Sequence, residues 1–227
     1  MDEENLVSAN NLSVYQQGNL VLADINFKVS KGEFLYLVGK TGSGKSSLLK
    51  MLYGALPVND GSLVVCQKDM KAIKNSEIPL LRRKLGIVFQ DFQLLMDKNV
   101  MENLSFVLEA TEWKDAQKIK NKCLEVLTAV DLVSKATKMP HQLSGGEQQR
   151  LAIARALIND AELILADEPT GNLDPETSIE IVKLLRSLSS IGKGVVMASH
   201  DFYVIQKFPA RMLYCQDGKV IEKSVLV

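Results

Sequence analysis

Apolar and polar positions recur with different periods along this chain, and the changes of period predict alternating strands and helices. Apolar runs bounded by turn residues predict nine strands: Leu6–Tyr15, Ile25–Val29, Phe34–Val38, Gly61–Val65, Leu85–Phe89, 163–167, 194–198 and a closing pair around Asp217-Gly218. Helices are predicted at Lys45–Tyr53, Glu77–Lys84, 175–190 and 201–207. This alternation indicates an α/β fold whose mainly parallel sheet is covered on both faces.

A longer helical stretch, from Val100 to Ile158, interrupts the alternation. In its middle, five apolar residues recur at helical spacing and predict one buried face: Ile119, Cys123, Val126, Leu127 and Val130. We therefore interpret residues 91–142 as a helical subdomain inserted into an α/β core made of residues 1–90 and 143–227. The chain, residues 1–227, is then one domain with an insertion.

Composition narrows the possible functions only slightly. The chain has 27 Lys and Arg against 27 Asp and Glu, so no net charge attracts nucleic acid or anionic lipid. The three cysteines lack metal-ligand spacing and are expected to be buried thiols. The acidic start is not typical of a signal peptide, and no apolar run approaches the ~20 residues of a spanning helix. A role at a membrane is therefore expected to need a partner.

The segment Gly39-Lys-Thr-Gly-Ser-Gly-Lys-Ser46 fits the phosphate-loop pattern G-x-x-x-x-G-K-[ST]. Gly42 and Gly44 let the backbone curl so that successive N–H groups point inward, and the next helix adds its dipole. Lys45 is expected to reach the β- and γ-phosphates, and the Ser46 hydroxyl to bind Mg²⁺. The alternative is a glycine turn with an incidental lysine, which the position between a strand and a helix disfavours.

Two acids end the apolar strand Leu163-Ile-Leu-Ala-Asp-Glu168. Asp167 is placed as a Walker-B acid, which binds Mg²⁺ through water. Glu168 points to the opposite side because side chains alternate along a strand, and there it can polarise an attacking water. The alternative is that the two acids are only solvated residues at a strand end, and the presence of a phosphate loop in the same chain disfavours it.

The octet Leu143-Ser-Gly-Gly-Glu-Gln-Gln-Arg150 precedes a predicted helix, which Ser144 would cap in any case. The octet lies after the phosphate loop and before the paired acids, and this order of motifs resembles that of the ATP-binding-cassette (ABC) ATPase family. The resemblance extends from Leu6 to about Glu222. It implies a P-loop NTPase with a RecA-like core, an N-terminal antiparallel β subdomain and the inserted α-helical subdomain, acting on ATP with Mg²⁺.

The resemblance also implies a set of site residues. Catalytic roles fall to Lys45, Gln90, Glu168 and His200, of which His200 would be the switch histidine that reads the γ-phosphate. Mg²⁺ is expected at Ser46, Gln90 and Asp167. ATP is expected to contact a wider set: Tyr15, Gly39, Lys40, Thr41, Gly42, Ser43, Gly44, Lys45, Ser46, Ser47, Gln90, Ser144, Gly145, Gly146, Glu147, Asp167 and His200.

Several of these assignments involve a second copy of the chain. In the family, the signature Ser144–Glu147 of one copy covers ATP held by the phosphate loop of the other, so the resemblance implies an ATP-sandwich homodimer. Gly171-Asn-Leu-Asp174 matches the loop that crosses the dimer interface. Tyr15 matches the aromatic residue that stacks on adenine, and cross-strand packing is its alternative.

Within the family, the chain resembles the small stand-alone ATPases of the FtsE, LolD and MacB types. The segment Leu81–Lys98 is most similar to FtsE, whereas Asn103–Glu109 lacks a proline common in relatives. The FtsE branch implies an FtsX-like integral membrane partner, control of cell-wall hydrolases in cell division, and a place on the cytoplasmic face of the bacterial plasma membrane. The alternatives are a LolD-like lipoprotein-release ATPase and a MacB-like exporter ATPase.

A different class, a soluble ABC protein acting on nucleic acid or ribosomes, is disfavoured because the chain has no second cassette, long coiled coil or basic stripe. No nucleic-acid partner is therefore expected. Four apolar residues after Gln90 leave one question open: Phe92, Leu94, Leu95 and Met96. They either form a groove for a partner helix or lie buried under the helical subdomain.

Overall fold

The computed structural model describes residues 5–223, which contain one mixed sheet of ten strands. The strands lie in the order β5-β4-β1-β2-β10-β9-β3-β8-β7-β6. Their bounds are β1 Asn5–Gln16, β2 Asn19–Ser30, β3 Phe34–Val38, β4 Ser62–Val65, β5 Lys68–Asp69, β6 Leu85–Val88, β7 Leu163–Asp167, β8 Gly194–Ser199, β9 Arg211–Gln216 and β10 Lys219–Lys223.

The four strands at one end, β5-β4-β1-β2, pair antiparallel and form the N-terminal subdomain that the family resemblance implies. The hairpin between β1 and β2 turns through Gln17 and Gly18, whose φ angles are 50° and 81°, as a two-residue hairpin loop requires. β2 begins at Asn19, six residues earlier than the predicted Ile25, and the short β5 was not predicted.

The five strands at the other end, β9-β3-β8-β7-β6, are all parallel. Both faces of this part are buried, because alternate residues of β3 enter two different apolar clusters. One cluster contains Phe34, Tyr36 and Val38 together with residues of the helical segments 100–158 and 181–188. The other contains Leu35 and Leu37 together with the N-terminal strands and the helix that follows β3. The doubly covered parallel sheet that the sequence predicts is thus confirmed.

Seven α-helices connect or flank these strands in the described residues. They are α1 Lys45–Leu52, α2 Ile78–Arg83, α3 Val100–Ala110, α4 Ala116–Ala129, α5 Gly145–Leu157, α6 Pro175–Ser190 and α7 Phe202–Lys207. Short 3-10 helices lie at Val133–Lys135 and Pro140–Gln142. No helix of residues 5–223 is long and apolar enough to cross a membrane.

The predicted helical insertion contains α3, α4 and the two 3-10 helices. Asn99 begins α3 with a reciprocal capping box to Glu102, and Asp115 caps α4 by accepting from the N–H groups of Gln117 and Lys118. The predicted apolar face of α4 is buried in the same cluster as the parallel sheet. The proposed division at residues 90 and 143 remains a prediction, and residues 1–4 and 224–227 of the predicted domain lie outside the described residues.

Candidate active site

The predicted catalytic residues all follow parallel strands at the same edge of the sheet. The phosphate loop follows β3, Asp167 ends β7, Glu168 comes next, and His200 follows β8. Gln90 follows β6 after one intervening residue. Because parallel strands bring their carboxyl ends to one edge, residues far apart in sequence meet there, where open α/β sheets bind ligands.

The phosphate loop depends on Gly44, which lies in the left-handed region at φ 98° and precedes α1 as its N-cap. A Cβ atom at this position would lie 2.8 Å from Leu22 Cδ1 and 2.9 Å from Val21 Cγ1. Both the backbone conformation and the available space therefore require glycine. The α1 N-terminus consequently points its free N–H groups at the edge of the sheet, as an anion site needs.

Lys45 is buried, with only 4% of its side chain exposed, and its ammonium is held inside the loop. Its Nζ donates to the carbonyl oxygens of Gly39 at 2.7 Å and Lys40 at 3.2 Å. The same Nζ lies 3.2 Å from Glu168 Oε1. The loop thus positions one cation directly beside the acid that the sequence assigns to water activation.

Ser46 and Asp167 present the oxygen ligands that Mg²⁺ prefers. The Ser46 hydroxyl donates to Asp167 Oδ1 at 3.0 Å across the gap between α1 and β7. Burial, and to a lesser degree the neighbouring charge of Glu168, raises the pKa of Asp167, while the Ser46 hydrogen bond opposes this shift. Such a carboxylate gains from a nearby cation, so the donor set fits Mg²⁺ bound together with phosphate oxygens.

Glu168 is held from two sides. Its Oε2 lies 2.7 Å from His200 Nδ1, and its Oε1 faces Lys45. The carboxylate is mostly buried, whereas His200 is 54% exposed and borders the cavity. Glu168 also has φ 48°, an uncommon conformation for a residue with a side chain, of the kind that functional sites retain.

A cavity of about 410 Å³ brings most of the predicted residues together. The predicted residues that line it are Thr41, Gly42, Gly44, Lys45, Ser46, Ser47, Gln90, Asp167, Glu168 and His200. Gly39, Lys40 and Ser43 line a neighbouring hollow of about 800 Å³ that shares Thr41, Gly42 and His200. The Ser43 hydroxyl is buried and has no hydrogen-bond partner among the described residues, which suits a loop that binds a further polar group.

The signature residues lie outside the lining of both hollows. Ser144 caps α5 through a reciprocal capping box: its Oγ accepts from the Glu147 N–H at 3.2 Å, and Glu147 Oε2 accepts from the Ser144 N–H at 2.8 Å. The hydrogen bonds from Ser144 and from Lys135 lower the pKa of Glu147. Ser144 is exposed, Gly145, Gly146 and Glu147 are half-buried, and none of the four residues reaches the cavity of the same chain.

Tyr15 does not line the cavity either, although the next residue, Gln16, does. The Tyr15 hydroxyl donates to Asp60 Oδ2 at 2.7 Å, and Gln16 Oε1 accepts from the Ser47 hydroxyl at 3.3 Å. Gln16 and the exposed Lys50 also line the cavity but were not predicted from the sequence, because both lie outside the phosphate-loop motif. The stacking role of Tyr15 stays a prediction.

Together, the fold and this site define the chain as a nucleotide-binding P-loop protein of the α/β class. The ABC transporter family description matches residues 22–171. A dimeric ATP-binding cassette, MJ0796 in a post-hydrolysis state bound to ADP and Pi, superposes with a TM-score of 0.83 and 33% identity, covering 96% of this chain and 98% of that one. The chain therefore belongs to the ABC transporter family, as an ATP-binding subunit with ATPase chemistry.

Relatives in the cell-division branch are similar over almost the whole chain. The cell division ATP-binding protein FtsE of Bacillus subtilis is 44% identical over 207 residues, covering 91% of this chain and 90% of the relative. FtsE of Escherichia coli K12 is 40% identical over 204 residues, covering 90% and 91%. These findings confirm the predicted ABC fold and the predicted similarity to FtsE.

Proposed function

We propose that this chain hydrolyses ATP as the motor subunit of an FtsE-type complex in cell division. The observation that carries the enzymatic part is the placement of Glu168. It follows Asp167 at the end of β7, and Lys45 and His200 hold its carboxylate from two sides. Similarity to the FtsE proteins over nine-tenths of the chain supports the biological part.

In the proposed reaction, Lys45 and the N–H groups at the start of α1 bind the β- and γ-phosphates. Ser46 and Asp167, with Gln90, would hold Mg²⁺, which neutralises phosphate charge. Glu168 orients a water and accepts its proton as the water oxygen bonds to the γ-phosphorus and the bond to the bridging oxygen breaks. His200 keeps the Glu168 carboxylate oriented and contacts the γ-phosphate. Catalysis of this kind relies on positioning and electrostatics.

The proposed active unit is a homodimer with two ATP molecules between the copies. Gly145 and Gly146 lie in the first turn of α5, where backbone N–H groups have no partner within the helix and can face an anion, yet they and Ser144 lie outside the cavity of their own chain. A second copy facing the first would present them to the phosphates. The similar cassette MJ0796 is dimeric in its ADP- and Pi-bound state, which supports this arrangement.

The proposed membrane partner would dock on the loop after Gln90. Arg155 donates to the carbonyl oxygens of Phe92 and Gln93, and Asn103 fixes the backbone further along at Leu95. The loop is therefore firmly held rather than loosely folded. Met96 nevertheless remains 56% exposed on it, and Phe106 of α3 is 47% exposed. Phe92, Leu94 and Leu95 are half-buried, whereas the exposure of Met96 supports the proposal that a partner binds there.

A capture experiment tests this function. Tagged Glu168→Gln chain with MgATP would be the bait in native bacterial membranes, and Met96→Lys and Val133→Lys would be introduced separately. We expect capture of an FtsX-like membrane protein, loss of capture with Met96→Lys, and no loss with Val133→Lys, which alters an apolar residue of similar exposure in a 3-10 helix. Capture of a lipoprotein-release or exporter subunit, or of no membrane protein, would contradict the FtsE assignment.

A further inference from the structure

We propose that Asn172 is a positioning residue for Gln90, and that the two residues latch the loop after β6 to the loop after β7. Asn172 Nδ2 donates to the Gln90 carbonyl oxygen at 3.1 Å. In return, Gln90 Nε2 lies 3.5 Å from Asn172 Oδ1. The two residues are 82 positions apart in sequence, so the contact joins two separate parts of the chain.

Gly171 gives this latch the space it needs. A Cβ atom on Gly171 would lie 2.9 Å from Gln90 Nε2 and 3.2 Å from its Cδ. The φ angle of Gly171 lies outside the left-handed region, so the backbone conformation alone does not require glycine. The Gln90 amide therefore packs closely against the backbone of residue 171, and a methyl group on residue 171 would push this amide aside.

The two residues of the latch lie in different functional parts of the molecule, the turn after Glu168 and the loop that continues into α3. On one side, the Gly171 N–H donates to the Glu168 carbonyl oxygen at 3.1 Å, so Asn172 belongs to the same turn as the proposed catalytic acid. On the other side, the backbone after Gln90 is held by Arg155 and continues into α3. A movement of the helical subdomain would consequently reach the turn after Glu168 through Asn172, and Asn172 would restrain the position of the Gln90 amide in the cavity.

The test uses three variants of the full-length chain: Asn172→Ala, which removes the donor, Gly171→Ala, which presses a methyl group against the Gln90 amide, and Gln90→Ala. Hydrogen exchange of peptides covering residues 89–99 is measured without nucleotide or Mg²⁺, and the ATPase rate is measured separately with MgATP. Asn121→Ala is the matched control, because Asn121 also pairs with a glutamine, Gln117, at 2.8 Å on the outer surface of α4.

We expect Asn172→Ala and Gly171→Ala each to speed exchange in residues 89–99 and to lower kcat by about 3- to 10-fold, the range of one hydrogen bond. The melting temperature should fall by no more than about 5 °C, and Asn121→Ala should match the wild type in exchange and kcat. The double variant Asn172→Ala with Gln90→Ala should have the same kcat as Gln90→Ala alone, because both changes act through the Gln90 amide.

The inference rests on the proposed role of Gln90, and the variants separate the two. If Gln90→Ala lowers kcat while Asn172→Ala and Gly171→Ala match the wild type in exchange and kcat, the latch is wrong and the role of Gln90 stands. If Gln90→Ala has wild-type kcat, the role of Gln90 is wrong and the positioning inference fails with it. Additive losses in the double variant would also overturn the latch.

Discussion

Lys45 Nζ and Glu168 Oε1 lie 3.2 Å apart, with 4% and 15% of their side chains exposed. The cation comes from the first residue of α1 and the acid from the residue after β7, so the pair joins the two elements that define the nucleotide site. Neither charge is well solvated, and each one partly offsets the burial cost of the other. Replacing one partner consequently changes the chemistry of the other as well.

Replacing Glu168 with Gln is expected to separate binding from hydrolysis. Gln keeps the size and the hydrogen-bonding oxygen toward Lys45 but cannot accept the proton of the attacking water. ATP affinity should therefore persist, while turnover falls by about 10²- to 10⁴-fold, the usual contribution of a general base. Single-turnover assays and ATP titrations measure the two effects, and Glu125→Gln on the exposed side of α4 is the control. Wild-type turnover of Glu168→Gln would rule out this role.

The ionised Asp167 carboxylate is expected to lower the folding stability at neutral pH, although Mg²⁺ binding requires it. Its folded-state pKa is raised, mainly by burial, so its ionised form is less favourable in the folded state than in the unfolded chain. Asp167→Asn should therefore raise the melting temperature at pH 7 and reduce MgATP turnover on the order of 100-fold or more. The stability gain should shrink as the pH falls through the raised pKa towards the usual value of 3.8. Thermal melts from pH 3.5 to 7.5 measure it, and a gain that grows at acidic pH would contradict this sign.

Asn103 is expected to be a main structural support of the loop after Gln90. It is fully buried, accepts from the Leu95 N–H and donates to the carbonyl oxygens of Leu95, Lys98 and Asn99. Asn103→Ala leaves these backbone groups without their partner and should cost about 2–4 kcal/mol of unfolding free energy. Chemical denaturation measures this loss, with Asn121→Ala as the control. A change below about 0.5 kcal/mol would show that the loop holds itself, as for an ordinary surface substitution.

Substitutions of Tyr15 test whether its ring stacks on adenine, as predicted. Its hydroxyl is bound by Asp60, which fixes the ring beside the strand end that carries Gln16. Tyr15→Phe removes only that hydrogen bond and should leave ATP affinity within about threefold. Tyr15→Ala should weaken ATP by about 5- to 100-fold if the ring stacks on the base, the range for base–aromatic stacking. Fluorescent-nucleotide titration compares the two, and equal affinities for Tyr15→Ala and the wild type would favour cross-strand packing.

The elements predicted from periodicity agree closely with the structure where the pattern is local. The buried face of α4 and the strand Leu163–Asp167 follow directly from spacing and apolar runs. The first half of β2 was not predicted although Leu20-Val21-Leu22-Ala23 is an apolar run, because Asp24, whose φ is 53°, separates this run from the predicted strand that begins at Ile25. β5 has two residues and exists only because it pairs with β4, which no local pattern reveals.

In the candidate site, too, the local motifs could be predicted from the sequence and the long-range contacts could not. The phosphate loop and the paired acids are contiguous motifs whose chemistry can be predicted from residue type and order. The bond from Tyr15 to Asp60 and the contact between Gln90 and Asn172 join residues 45 and 82 positions apart. Only the folded arrangement of strand ends brings such residues together, so sequence spacing contains no signal for them.

Two copies of this chain are expected to complete each ATP site. The most direct measurement is the molar mass of Glu168→Gln by light scattering, with and without MgATP, alongside the same variant carrying Ser144→Arg. We predict the monomer mass of 25.1 kDa without nucleotide, twice that mass with MgATP, and no shift when Ser144→Arg is present. A variant that binds MgATP and keeps the monomer mass would contradict the two-copy site.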